Sequence, residues 1–266
     1  MPDPPPDAPA LHVYERDILP GEHNSLSVLS AHISPGARVL DLGCGSGAIG
    51  RFLARRDGAR AGPVDGLTLN QDEADRAAPH YRRIEVADLD SASLADLFDP
   101  AGYDAIVCAD VLEHTRQPER VLQQCRQLLA PGGRVLLSIP NAGYAGLVAE
   151  LMAGEFRYRP EGLLDATHLR FFTRRSLLRF LAEQRWHMER VQVISRQLPD
   201  SEFNLAFDAL PPAVARHLLA LPDALTYQFI VIARPRQADE PPMTLPPAEA
   251  ALPEQALFTS QLIQAE

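Results

Sequence analysis

The nine residues Val39-Leu40-Asp41-Leu42-Gly43-Cys44-Gly45-Ser46-Gly47 constrain this chain more than any other stretch. A short apolar run, suited to a strand buried on both faces, enters three glycines at every second position. From Gly47 to Arg56, Ile49, Phe52 and Leu53 then recur at helical spacing. Glycine admits positive φ and lets a ligand approach the main chain closely, where a Cβ would stand in the way. The spacing Gly-x-Gly-x-Gly, preceded by an acid, differs from the Gly-x-Gly-x-x-Gly of dinucleotide-binding folds.

The pattern repeats along the chain. Further strand candidates are Val64 to Leu69, Arg83 to Ala87, Asp104 to Ala109, Arg134 to Ile139, Met188 to Ser195 and Tyr227 to Ala233. A helix starting at Pro118 carries Val121, Leu122, Cys125, Leu128 and Leu129 on one face and is stopped by Pro131-Gly132-Gly133; another begins near Thr173. Strands apolar almost throughout, alternating with helices, imply a parallel sheet covered on both faces. The expected fold is therefore α/β, a Rossmann-like, seven-stranded, mostly parallel sheet with helices on both faces. Ligands of such sheets bind beyond the carboxyl ends of the strands.

Composition excludes several functions. Among 266 residues, 25 basic against 35 acidic side chains give a formal net charge of -10, which repels phosphate backbones and excludes nucleic acid as a partner. Every basic residue is arginine, so chemistry built on a P-loop, Schiff-base or kinase lysine is ruled out. Cys44, Cys108 and Cys125, an odd number in apolar runs, suit a reducing compartment. The acidic, proline-rich amino terminus does not read as a signal peptide, and no apolar stretch reaches the roughly 18 residues of a membrane span. A cytoplasmic location is expected. Residues 1–10 read as a Pro-rich tail, 11–235 as one domain, and 236–266 as a Pro-rich linker with a short terminal helix. Leu257, Phe258, Leu262 and Ile263 of that helix could dock on a partner protein, on a second copy in a homodimer, or on the chain's own domain.

The glycine segment resembles the first motif of the class I S-adenosylmethionine-dependent methyltransferases. Tyr103 to His114 is similar to that family's fourth strand and following loop, and Leu128 to Asn141 to the turn into its fifth strand. Gly162 to Thr173 resembles a stretch of a bacterial subgroup associated with surface-polysaccharide synthesis. The resemblance implies S-adenosylmethionine as cofactor and, as acceptor, a hydroxyl on a bacterial glycan or glycan precursor. The alternatives are a small isoprenoid or phenolic acceptor, or a non-catalytic scaffold that binds a partner. It further implies that Gly43, Gly45 and Gly47 wrap the methionine part and ribose while Asp41 orders the loop. Asp88 and Leu89 would meet the adenine, and Ala109 would lie near the sulfonium. One departure stands out: where the family has an acid at the end of the second strand to bind the ribose hydroxyls, one register puts Thr68 and another Asp65, of which Asp65 is preferred.

Methylation of an alcohol also needs its proton removed, a task suited to histidine near neutral pH. Of eight histidines, His114 follows the fourth strand and His168 lies just before the late helix. Asp165 is a candidate to hold the His168 tautomer, Arg170 to bind an anionic acceptor, and Tyr144, Phe156, Tyr158 and Trp186 to line the acceptor pocket. Plainer roles stay open: His114 as a loop cap, Asp165, His168 and Arg170 as pins for the insertion, Tyr144 as packing. No metal-ligating set is expected.

Overall fold

In a computed structural model of the chain, residues 18, 24–203, 207–237 and 239–241 are described. The expected tail, most of the linker and the terminal helix lie outside them. One sheet of seven strands runs in the order β3-β2-β1-β4-β5-β7-β6. Its members are β1 (Val39–Leu42), β2 (Val64–Thr68), β3 (Arg83–Val86), β4 (Tyr103–Ala109), β5 (Leu129–Pro140), β6 (Trp186–Ser195) and β7 (Thr226–Pro235). Pairing is parallel from β3 through β5, and β7 lies antiparallel between β5 and β6. All seven strands coincide with sequence candidates, each boundary shifting by a few residues. The largest shift is at β5, which begins at Leu129 and takes in Pro131-Gly132-Gly133, with a register break against β4 between Tyr103 and Ala105.

The alternation of side chains about β1 splits the interior into two cores. Leu40 and Leu42 face one layer, with Ile106 and Cys108 of β4, where α4 (Leu94–Leu97), α5 (Pro118–Leu128) and α7 (Arg174–Glu183) pack through Leu94, Val121, Leu122, Cys125, Leu177 and Leu181. Val39 faces the other, with Ala105 and Val107, covered by α1 (Ser25–Ala31) and α2 (Ala48–Asp57) through Val28, Leu29, Ile49 and Leu53. The helix α3 (Gln71–Ala77) follows β2. Capping fixes the helix starts where the sequence indicates them. Thr173 at the N-cap of α7 accepts from the Ser176 amide in a capping box, and Pro118 opens α5.

A third apolar cluster builds the insertion beyond the sheet. Tyr144, Leu147, Leu163, Leu164, Phe203 and Tyr227 join α6 (Ala145–Met152) to the 163–164 stretch, with α8 (Pro212–Leu219) adding Leu218 and Leu219. Beyond β1 the chain goes on to β2 and β3 on one side, while β4 lies on the other side of β1; the crevice between these diverging connections is the usual ligand position in such sheets. Among the described residues no helix is long and apolar enough to cross a membrane.

Candidate functional site

The glycine loop leaves β1 with the Gly43 and Cys44 amides both donating to the Leu67 carbonyl, at 2.8 and 2.9 Å. Its three glycines have φ of +75°, +49° and +85°. They are glycine for two different reasons. A Cβ on Gly43 would sit 2.7 Å from Val111 Cγ2, and one on Gly47 2.9 Å from the Ala77 backbone, so packing forbids both. A Cβ on Gly45 would meet nothing within 4 Å. Gly45 therefore faces open space at the carboxyl edge, the cradle that a cofactor would occupy.

Asp41 is buried beneath this loop, and its Oδ2 accepts the Tyr81 hydroxyl at 2.6 Å. Tyr81 Oη in turn accepts the Gly50 amide at the start of α2. Burial pushes the Asp41 carboxyl up to about 7, against the opposing effect of the Tyr81 hydrogen bond. Folded protein thus keeps a proton on Asp41 that the unfolded chain gives up near pH 4, so stability falls as pH rises from about 4 to about 7 and is level above. Asp41→Asn is expected to remove that loss, raising unfolding free energy at pH 8 by on the order of 2–4 kcal/mol and leaving pH 4 nearly unchanged. Urea unfolding of variant and wild type at both pH values checks it, and an equal difference at the two would refute it.

The second strand differs from the sequence expectation. Asp65 is 1% exposed, and its carboxylate is bound by Arg82 at 2.9 and 2.6 Å and by the Tyr103 hydroxyl at 2.5 Å, with Arg83 3.6 Å away. Burial works against its charge, yet Arg82, Tyr103 and Arg83 together hold its carboxyl below the usual range. Arg82 immediately precedes β3, and Arg83 and Tyr103 open β3 and β4, so Asp65 is engaged at the amino edge of the sheet, away from the glycine loop. Thr68 ends β2 at the carboxyl edge, also buried, and its hydroxyl donates to Glu73 Oε2. Glu73 reaches that place from the first turn of α3, where its amide is capped by Asn70 Oδ1 at 2.8 Å. The following helix thus brings a carboxylate to the end of β2, where the strand itself has none. Sequence reasoning passed over Glu73; the Asn70 cap, which starts α3 directly after Thr68, was the available signal.

At the ends of β3 and β4 the predicted positions are at the same edge. Asp88 is exposed, its Oδ1 accepting the Asp90 amide at 2.9 Å, and Leu89 is buried behind it. Ala109 closes β4, and Asp110 follows with φ of +55°, a region that Asp tolerates better than most residues. Asp110 Oδ1 accepts from Ser138 Oγ at 2.6 Å and Gln228 Nε2 at 2.7 Å, tying β4 to β5 and β7.

The two candidate histidines come together. His114, on a single 3₁₀ turn Leu112–His114, and His168 meet with ring centroids 4.6 Å apart at 70°. The segments are joined by the Glu113 carbonyl, which accepts the Leu169 and Arg170 amides at 2.7 and 3.0 Å. His168 Nδ1 lies 3.2 Å from the Leu163 carbonyl, and the Asp165 charge acts on the same ring. Asp165 Oδ1 accepts the amide and hydroxyl of Thr167, at 2.7 and 2.6 Å, and Thr167 Oγ1 lies 2.9 Å from His114 Nδ1. The Thr167 side chain thereby links the aspartate to His114 as well. Burial lowers the pKa of both imidazoles, with His168 adding to the effect on His114.

Arg170 is exposed, and its Nη2 donates to the Arg116 carbonyl, which joins the two loops. One further expectation gives way. Tyr144 is buried in the third cluster, its hydroxyl donating to the Arg196 carbonyl at 3.0 Å, and therefore packs and lines no acceptor pocket. The aromatic edge near the histidines comes from Phe156 and Tyr158, two of the expected aromatics, together with Phe171. His168 lies 6.2 Å from Phe171, Phe171 5.8 Å from Phe156, and Phe156 5.4 Å from Tyr158, each at steep interplanar angles. Phe171, Phe156 and Tyr158 are 38%, 42% and 59% exposed.

A family model described as a methyltransferase domain matches residues 22–188. The ubiquinone biosynthesis O-methyltransferase of Xylella fastidiosa (strain M23) is 35% identical over 142 residues, 52% of this chain and 56% of its own. The protein of the same name from Burkholderia pseudomallei (strain 1710b) is 28% identical over 189 residues, 69% of this chain and 79% of its own. The chain thus spans little more than half the length of the Xylella relative. Among solved structures, a putative methyltransferase from Bacillus halodurans superposes with a TM-score of 0.54 at 16% identity, covering 80% of this chain and 99% of its own. An S-adenosylmethionine-dependent methyltransferase from Mesorhizobium loti gives 0.51 at 20% identity, covering 78% and 96%. At such identities these two structures share the fold.

Proposed function

Because this chain belongs to the methyltransferase-domain family, with S-adenosylmethionine as its cofactor, we propose that it methylates a hydroxyl of a small, largely apolar phenolic acceptor. The observation that carries the acceptor class is the line of rings from the His114–His168 pair through Phe171 and Phe156 to Tyr158 at the surface. An apolar ring entering along these edges brings its hydroxyl toward the two imidazoles. The names of the relatives support a small-molecule acceptor over the glycan expected from the sequence.

The residues at the carboxyl edge divide the work. Gly45 leaves room for the methionine part, Asp88 and Leu89 border the adenine, and Ala109 flanks the reacting centre. When bound, the cofactor would supply a sulfonium methyl to the acceptor oxygen, the carbon–sulfur bond breaking onto sulfur and one proton being released. That proton leaves at the His114–His168 pair. Both rings are uncharged near neutral pH because burial disfavours the imidazolium.

Glu73 takes the ribose role that the family gives to the second strand. Its Oε2 is fixed by Thr68, which leaves Oε1 to accept from ribose hydroxyls. This removes the reason for reading the chain as a degenerate scaffold. Glu73→Gln is expected to weaken cofactor binding by about 1.5–3 kcal/mol, the range for a hydrogen bond to a charged group. Asp65→Asn serves as the control and should leave affinity unchanged. Calorimetry that finds the effect in Asp65→Asn and not in Glu73→Gln would reverse the assignment.

The acceptor class is tested with radiolabelled S-adenosylmethionine, purified protein and two acceptor sets, prenylated catechols and lipid-linked or nucleotide sugars. Label in an ether-linked methyl of the catechols is the expected result. Label on sugars alone would overturn it.

A further inference from the structure

We propose that Arg120 is a positioning residue for the cofactor: its guanidinium fixes the loop after β3 so that Asp88 and Leu89 meet the adenine ring, and through that placement it sets the preference for adenine over other purines. Arg120 lies in the first turn of α5 and is half-buried. Its Nη1 donates to the carbonyls of Leu89 and Asp90 at 3.2 and 3.0 Å, and its Nη2 to those of Ser91 and Ala92 at 3.4 and 2.7 Å. A guanidinium carries four hydrogens on these two nitrogens. Four consecutive carbonyls of one loop therefore converge on a single side chain from another segment.

The loop's own amides explain why it needs that side chain. Those of Asp90, Ser91 and Ala92 all turn back onto Asp88, the first onto Oδ1 at 2.9 Å and the others onto its carbonyl at 3.0 and 2.8 Å. With these donors spent around Asp88, the carbonyls of the turn take their donors from elsewhere, and Arg120 supplies them. The helix adds two further holds. Gln124, one turn along α5, accepts the Leu94 amide on Oε1 at 2.7 Å, and Leu89 is buried in the same core as Val121 and Leu122. The other end of the loop stays tied to the sheet, where the Ala87 amide donates to the Thr68 carbonyl.

The inference rests on the reading that Asp88 and Leu89 border the adenine. Asp88 Oδ1 is taken by the Asp90 amide, so Oδ2 is the atom to accept the exocyclic amine of the base. That bond forms only if the turn holds its place, because a hydrogen bond weakens steeply once distance and angle drift. Arg120 acts on the base through the turn. A lysine there would bring an ammonium whose three hydrogens radiate from one atom, a poor match for four carbonyls in a row.

The test measures, by calorimetry on the full chain, affinity for two ligands that differ only in the base. They are S-adenosylhomocysteine and S-inosylhomocysteine, in which a ring carbonyl replaces the exocyclic amine. Wild type is expected to prefer the adenine ligand by about 10- to 100-fold, the range for one hydrogen bond to a charged acceptor. Arg120→Ala is expected to lower affinity for the adenine ligand by about that factor while the inosine ligand changes by less than about threefold, so the preference collapses. Arg120→Lys, with the charge and part of the donation kept, should fall between. Circular dichroism checks the fold of each sample; should Arg120→Ala not fold, a narrowed preference in Arg120→Lys carries the comparison. Equal losses for both ligands, with the preference intact, would mark Arg120 as plain structural support and overturn the inference, as would wild-type affinity for both. Wild type that does not distinguish the two bases would remove Asp88 from the adenine, and the inference would fall together with the reading beneath it.

Discussion

Gly45→Val is expected to abolish measurable S-adenosylmethionine binding while the protein remains folded. No heavy atom lies within 4 Å of a Cβ built at this position, so packing alone makes no demand for glycine there. The backbone does, mildly: φ of +49° costs a non-glycine residue on the order of 1–2 kcal/mol. A valine's two methyl groups then fill the space that the cofactor needs, and a loss of three orders of magnitude in affinity corresponds to about 4 kcal/mol. Gly43→Ala provides the contrast. Its Cβ would clash with Val111 at 2.7 Å, so it should lower thermal stability before any question of binding arises. Calorimetry together with thermal unfolding separates the two variants. Wild-type affinity in folded Gly45→Val would put the cofactor somewhere other than this loop.

His168→Ala is expected to lower turnover about 10²- to 10⁴-fold with cofactor affinity nearly unchanged. The ring is 7% exposed and held by the Leu163 carbonyl, so its position is fixed in the absence of acceptor. It also leans on His114, and its loss leaves that ring without its edge contact at 4.6 Å. Steady-state kinetics with a phenolic acceptor provides the measurement. Normal turnover in His168→Ala would remove the residue from the mechanism, whereas a matching loss of cofactor affinity would mark it as structural.

Much of the fold was legible because its signals are local. The apolar run of β1, the glycine spacing, the Thr173 cap and the proline at α5 each act within a few residues, and the chain obeys them. The carboxyl edge as the site location followed from the parallel order of the strands. Which side chains turn toward that edge was not legible. Asp65 was a reasonable ribose partner by sequence, but Arg82 lies on the same side of the sheet at its amino edge and takes the carboxylate. Tyr144 read as an acceptor aromatic and became core, because Phe203 and Tyr227 close around it.

The sequence by itself determined the element order and the glycine loop, and it singled out His114 and His168 as candidates to move a proton. Only the tertiary structure decided that the Glu73 carboxylate stands against Thr68 at the end of β2, that Thr167 links Asp165 to His114, and that His114 and His168 meet ring to ring. The physical reason is the range of the interactions involved. Backbone preference and hydrophobic periodicity are written in neighbouring residues, whereas a carboxylate or imidazole is oriented by whatever partner the fold brings within about 3 Å, and that partner is set by packing across segments distant in the chain.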